Sequence, residues 1–292
     1  MLNQTKPKLT ESCTSLLQAE ESAFNKRKVE RAFEHGVATY EQANTVQRVS
    51  AEKLLAQLLK ANTSKHKANV LLDLGCGKGV NTVSLERHCE TLLSADITYS
   101  ALRNIDNKIN KQHLLNTDAE SLPLQSNTID LVYSNLMLQW TNNPQHALNE
   151  LVRVLTHGGR AHVSTLIDGS LNELKYAWSK VDNDKHVNYF ITRDELTYLI
   201  NALPNVDVSV SFSTEQVYGD TVKQLCTDLK KIGANYVSGR KNTALMGKSK
   251  WKKMCLAYEK FRIDGTENTA SAVHNKLPLT YQIAYIEMVK RD

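Results

Sequence analysis

The sequence predicts an α/β fold built on a doubly wound, mainly parallel sheet, and three observations carry that prediction. Apolar runs of strand length alternate with helix-patterned segments between about residue 69 and residue 166, the pattern of strands joined by helices in a parallel sheet. The first run, Val70-Leu71-Leu72-Asp73-Leu74, breaks into Gly75-Cys76-Gly77-Lys78-Gly79 and is followed by a helical pattern. Strand, glycine turn and helix form the opening unit of a nucleotide-binding α/β fold. Finally, an aspartate stands at the end of each of three successive runs, Asp73, Asp96 and Asp118, where open α/β sheets bind their ligands.

Composition excludes several classes. A chain of 292 residues suits one large domain, or one domain carrying an insertion. No apolar run approaches the ~20 residues of a membrane span, and no short apolar stretch of signal-peptide type stands near Met1. The five cysteines (Cys13, Cys76, Cys89, Cys226, Cys255) are scattered and odd in number. They show neither zinc spacing nor a disulfide framework, so reduced thiols, a cytoplasmic location and no bound metal are expected. The net charge of +5 is modest, and the basic stretch Lys223–Lys253 lacks interleaved aromatics. Nucleic-acid binding is therefore not expected.

Along the chain, residues 1–24 read as a polar leader. From about Lys28 to Leu59, Phe33, Val37, Tyr40 and Ala43, and then Leu54, Leu55, Leu58 and Leu59, recur at helical steps. Two helices bent near Asn44 fit this stretch. After the glycine unit come a second strand over Thr91–Asp96, a helix from near Ser100, and a third strand near His113–Asn116. A fourth strand follows at Ile129–Tyr133, then a helix from Pro144 to Leu155 ending at His157-Gly158-Gly159, and a fifth strand over Arg160–Leu166. After Asp168 the pattern changes. Two helical runs surround the polar segment Asp182–His186, Val206–Val217 alternates as a half-buried strand, and Leu279–Val289 alternates again. These patterns divide the chain into a core of residues 25–167, completed by 277–292, and an inserted, mainly helical region of residues 168–276. The insert covers the pocket and includes the late strand near 206–217.

The chemistry-bearing residues concentrate around the glycine turn. Its spacing is G-x-G-x-G with an acid two residues before the first glycine, unlike the G-x-G-x-x-G of dinucleotide enzymes. That difference points to S-adenosylmethionine rather than NAD. Asp96 lies about 20 residues past the turn, where an acid accepts both ribose hydroxyls of an adenosine; the plain alternative is a helix N-cap. Asp118 can accept the exocyclic amine of adenine while the N–H of Ala119 meets the ring; the plain alternative is an ordinary turn aspartate. Asp73 either orients the turn or reaches the ligand's ammonium through water. Three carboxylates would repel a phosphate.

These residues carry a resemblance. The turn Leu72–Gly79, Asp96 and Thr117-Asp118-Ala119-Glu120 resemble class I S-adenosylmethionine methyltransferases. Ser134-Asn135-Leu136-Met137-Leu138-Gln139-Trp140, Ser164-Thr165-Leu166, Ala177-Trp178, His186-Val187-Asn188-Tyr189-Phe190, Ile232-Gly233-Ala234-Asn235 and Leu277-Pro278-Leu279-Thr280-Tyr281 narrow it. With Phe33, Tyr40 and Gln47, they are similar to the malonyl-acyl-carrier-protein O-methyltransferase family of biotin synthesis, over roughly residues 25–289. Residues 1–24, Gly36-Val37, His157 before the glycine pair, and a long polar stretch at 264–276 depart from that pattern without removing a motif.

The resemblance implies a Rossmann-like class I methyltransferase fold and S-adenosylmethionine as cofactor. It implies a cofactor set of Asp73, Gly75, Cys76, Gly77, Gly79, Asp96, Ile97, Asp118, Ala119, Ser134 and Asn135. It also implies methylation of the free carboxylate of malonyl-acyl carrier protein or malonyl-coenzyme A. Because a carboxylate is ionised at neutral pH, positioning is expected to suffice and no acid/base residue is assigned. Tyr40, Gln139, Trp140, His186, Asn188 and Phe190 are the acceptor-side candidates. Tyr40 and Trp140 can instead be core aromatics, His186 a cap, and Asn188 a turn residue. Lys230, Lys231, Arg240 and Lys252 are candidates for docking an acidic carrier protein bearing malonyl-phosphopantetheine; a solvated face is the alternative. A monomer is expected. Two other functions stay open: methylation of another small acid or a quinone precursor, and a silent cofactor-binding partner protein.

Overall fold

In the strand Ala68–Leu74 (β1), Leu71 and Leu72 are both fully buried yet belong to different hydrophobic clusters. Tyr133 and Val132 divide in the same way in Ile129–Asn135 (β4). Successive side chains of a strand point to opposite faces, so a sheet covered on both sides reads as a continuous apolar run. This computed structural model describes residues 24–36, 43–61, 67–105, 112–239, 247–263 and 273–292. Tyr40, Arg240, the leader short of Phe24 and most of the polar stretch 264–276 lie outside them.

The remaining strands are Cys89–Asp96 (β2), Gln112–Asn116 (β3), Leu155–Leu166 (β5), Val206–Gly219 (β6) and Leu277–Lys290 (β7). Among the described residues they form a seven-stranded sheet of order β3-β2-β1-β4-β5-β7-β6. β1 to β5 run parallel, whereas β7 runs antiparallel to both β5 and β6. Strand order reverses between β1 and β4, which makes the carboxyl end of β1 the topological switch point and the expected ligand site.

One face is covered by Thr45–Ala61 (α2), Asn172–Ser179 (α6), Val222–Lys231 (α8) and Lys248–Tyr258 (α9), through Leu54, Leu58, Trp178, Leu229, Met254 and Tyr258. The other is covered by Pro144–Val154 (α5) and Arg193–Asn201 (α7), through Leu148, Leu151, Leu196 and Ile200. Shorter or peripheral helices are Lys26–Gly36 (α1), Thr82–Glu86 (α3) and Tyr99–Leu102 (α4). The starts of α5 and α7 follow from sequence. Asn143 caps α5 with Pro144 in its first turn, and Thr192 with Glu195 forms a capping box on α7. No described helix is long and apolar enough to cross a membrane.

Two expectations change. The strand near 206–217 hydrogen-bonds along its whole length to β7, so it is the edge of the main sheet and not part of the cover. Its alternating pattern fits either place, and only the pairing decides. The pair Gly158-Gly159 lies inside β5 rather than at a helix end. There the register slips between the Ile129–Leu155 and Leu131–Arg160 pairs, and Gly158 takes a φ of 73° that other residues adopt reluctantly.

Candidate cofactor and acceptor site

The glycine turn is fastened to the end of β2. The N–H groups of Gly75 and Cys76 both donate to the Ala95 carbonyl, at 2.8 and 3.1 Å, and Gly77 N–H donates to Asp96 Oδ2 at 2.8 Å. Gly75 has φ 76°, and a Cβ there would lie 2.6 Å from Met137 Cβ, so the turn passes the segment after β4 too closely for a side chain. Thr98 N–H holds the other oxygen of Asp96 at 2.7 Å. Two backbone donors therefore aim the Asp96 carboxylate while each oxygen keeps a lone pair free for a ligand.

Asp73 is 2% exposed, and its Oδ2 has no hydrogen-bond partner among the described residues. Burial, reinforced by the neighbouring Asp96 charge, pushes its pKa up to about 8. Burial also raises Asp96, although the N–H groups of Thr98 and Gly77 pull it back. The Cys76 thiol is raised by burial and then by these two carboxylates. Unanswered buried carboxylates beside a cavity suit a cationic, hydroxyl-bearing ligand, and the residues present fit S-adenosylmethionine on that ground.

The cavity, of about 370 Å³, runs from these acids to the inserted helices. It brings together Asp73, Gly75, Cys76, Gly77, Asp96, Ile97, Asp118, Ala119 and Asn135 with Gln139, Trp140, His186, Asn188 and Phe190. Gly79 and Ser134 are not in its lining. Gly79 packs toward Thr82 and Ile105, and the fully buried Ser134 hydroxyl donates to the Leu74 carbonyl at 2.8 Å.

Several of the polar lining residues are answered from within the chain. Asn135 donates to the Gln47 carbonyl at 3.0 Å and accepts from the hydroxyls of Ser50 and Ser164. Gln139 donates to the Leu136 carbonyl at 2.6 Å and accepts from Thr165 Oγ1 at 3.2 Å. Asn188 donates to the Tyr236 carbonyl at 2.7 Å and accepts from Ser238 N–H at 3.0 Å, which fastens the segment after α8 to the one after α6. His186 lies flat on Trp178, ring centroids 3.8 Å apart, with Nε2 2.7 Å from Asp182 Oδ1. Lys230 and Lys252 are exposed on α8 and α9, and Lys231 pairs with Asp228 at 3.5 Å.

Sequence reasoning missed Lys26. It donates to Asp118 Oδ2 and reaches Glu120 Oε1 at 2.9 Å. Burial alone would lower its pKa, but those two carboxylates hold it above the usual lysine value. A lysine at the start of an amphipathic helix gives no signal of such a role. Beside it, Trp140 packs between Phe33 (centroids 5.0 Å) and Phe24 (5.7 Å), so α1 and the chain entering it cover the cavity beside Asp118 and Trp140.

Strand order, reversed β7, glycine turn and buried acids together define a class I S-adenosylmethionine-dependent methyltransferase. A methyltransferase-domain family model matches residues 72–163. The chain is 31% identical over 268 residues to a malonyl-[acyl-carrier protein] O-methyltransferase of a Marinomonas species, covering 89% of this chain and 93% of that one. It is 31% identical over 274 residues to a biotin biosynthesis bifunctional protein of Cellvibrio japonicus, where it spans 92% of itself and 51% of that longer protein. In fold it resembles a putative methyltransferase from Bacillus halodurans, with TM-score 0.57, 14% identity, and coverage of 82% of this chain and 99% of that one. The chain belongs to the malonyl-[acyl-carrier protein] O-methyltransferase family.

Proposed function

We propose that this chain methylates the free carboxylate of a malonyl group carried by acyl carrier protein, with S-adenosylmethionine as donor. The product, a malonyl methyl ester, would enter fatty-acid elongation toward pimeloyl and biotin. Family membership supports the reaction, and one feature of the cavity carries it. Buried acids able to hold a cation face an acceptor side closed by Trp140, Trp178 and Phe190. Bound S-adenosylmethionine supplies an electrophilic methyl on a positively charged sulfur.

The chain's own residues then have three tasks. Asp96 would hold the ribose hydroxyls and Asp73 the ammonium end. Asp118, shared with Lys26, would meet the adenine amine beside Ala119. On the acceptor side no base is needed, since a malonyl carboxylate ionises near pH 4. The aromatic walls exclude water and keep the attacking oxygen in line with the methyl at ~3–3.5 Å. His186 is the polar side chain of this wall best placed to meet the acceptor carboxylate, because Gln139 and Asn188 are engaged elsewhere.

Exposed Lys230 and Lys252, with Lys231, would steer an acidic carrier protein toward the cover. Among the described residues no disulfide joins Cys76, Cys89, Cys226 and Cys255, which suits the cytoplasm.

The test is to incubate purified protein with methyl-labelled S-adenosylmethionine and malonyl-acyl carrier protein. Base-labile label on the carrier, absent with acetyl-acyl carrier protein, is the expected result. No label, with S-adenosylhomocysteine binding intact by calorimetry, would move the chain to another acceptor or to a silent binder.

A further inference from the structure

His186 is held on two sides by Trp178 and Asp182, which precede it at four-residue steps. One face of its ring lies on Trp178 with an interplanar angle of 9°. Its Nε2 meets Asp182 Oδ1 at 2.7 Å, and its side chain is only 7% exposed. The second oxygen of Asp182 accepts from Lys250 Nζ at 2.7 Å, and Asp184 N–H also donates to Oδ1 at 3.1 Å. Lys250 belongs to α9, the same exposed basic helix as Lys248, Lys252 and Lys253. Asp182 is thus a bridge between a ring that lines the cavity and a helix on the surface.

The chemistry of this bridge is directional. Lys250, and then His186, hold the Asp182 carboxyl below the usual carboxylate range, so it stays ionised and accepts only. Nε2 must therefore carry a proton, which leaves Nδ1 as the nitrogen that can respond to a ligand. Nδ1 makes no hydrogen bond among the described residues. Asp182, Asp184 and His186 also offer three ligand atoms within 4.8 Å of one another. The Lys250 ammonium already answers Asp182 there, so the cluster reads as an ion bridge and not as a metal centre.

We propose that Asp182 is a positioning residue for the methyl acceptor. It fixes the ring plane of His186 by holding Nε2–H, with Lys250 as its second anchor, so that Nδ1, which takes a proton from solvent as the anionic acceptor enters, donates to the acceptor carboxylate. The placement of the pocket histidine then depends on the surface helix against which the carrier protein would dock. This rests on the reading above that His186 meets the acceptor.

Three variants test it: His186→Gln, Asp182→Asn and Lys250→Met, the last at an exposed position where folding is not at risk. Steady-state kinetics with malonyl-acyl carrier protein are compared with S-adenosylhomocysteine binding by calorimetry. Imidazole nitrogen shifts are recorded on the S-adenosylhomocysteine complex without carrier protein, so that docking cannot contribute. Asp182→Asn is expected to raise KM about tenfold with kcat within about threefold, the signature of lost ground-state and transition-state binding together. Lys250→Met should move KM about threefold the same way, and both variants should shift the His186 nitrogen resonances from their parental values. Cofactor-product affinity should stay within about twofold, since neither group touches that end. Unchanged His186 shifts in Asp182→Asn would overturn the positioning role. If the shifts move but His186→Gln leaves KM unaltered, the fault lies with the contact between His186 and the acceptor, and the proposal falls with it.

Discussion

The two ends of the cavity are built on opposite terms. At the end formed by β1 and β2, the chain buries Asp73 with an oxygen unanswered and tolerates a carboxyl whose pKa has risen to about 8. At the opposite end, the amides of Gln139, in the turn after β4, and Asn188, between α6 and α7, are matched by partners inside the chain. The first end is electrostatically incomplete, and the proposed function has a cation complete it. The second is already satisfied and contributes shape, dryness and one histidine. A buried group left without a partner costs stability, and at Asp73 a bound cation would offset that cost.

The comparison can be broken in four ways. Asp96→Ala should have the largest effect. Losing charge-assisted bonds to two hydroxyls is expected to weaken S-adenosylhomocysteine binding by about two orders of magnitude in calorimetry, while the acceptor side keeps its structure.

Asp73→Asn comes next and carries a sign. The folded-state pKa of Asp73 is about 8 against an ordinary 3.8, so the native state keeps a proton that the unfolded chain releases. Stability of the ligand-free protein therefore falls as pH rises between those two values. The asparagine variant should melt roughly 2–4 °C higher than the parent at pH 8 and level with it at pH 4. A cationic ligand needs the ionised form, so parental affinity for S-adenosylmethionine should climb up to about pH 8 and then flatten. The variant should instead bind about tenfold more weakly at pH 8, with no such climb. A variant that matched the parent in both assays would show that the two ends do not differ as described.

Asn188→Ala tests the satisfied end. Unfastening Tyr236 and Ser238 should cost about 1–3 kcal/mol in denaturant unfolding and lower turnover, with S-adenosylhomocysteine affinity within about twofold. The smallest effect belongs to charge reversal of Lys230, Lys231 and Lys252 together. It should lower kcat/KM on carrier-bound substrate by about tenfold at low salt, and far less once salt screens the surface.

Much of the cofactor end was legible in the sequence because it is written locally. A strand that ends in an acid and breaks at Gly75 and Gly77 needs no distant partner to be recognised, and Asp96 and Asp118 follow at strand ends set by the same alternation. The acceptor end was legible mainly as residue names. Asn188 and Gln139 lie in the cavity wall as expected, but what they bond was not readable. Their partners sit at Tyr236, Ser238, Leu136 and Thr165, and an amide's choice among such partners is made by packing. Lys26 was invisible for the same reason, since 92 residues separate it from Asp118.

The sequence alone determined the α/β class, the glycine turn at the carboxyl end of β1 and the three acids, because these depend on periodicity and on backbone freedom at single residues. Tertiary structure decided that Val206–Gly219 pairs with β7, that Lys26 closes over Asp118, and that Asp182 joins His186 to Lys250. Apart from the local Asp182–His186 pair, each of those is a contact between segments with no local preference for one another. It forms only because burying the two faces of the sheet brings them within reach.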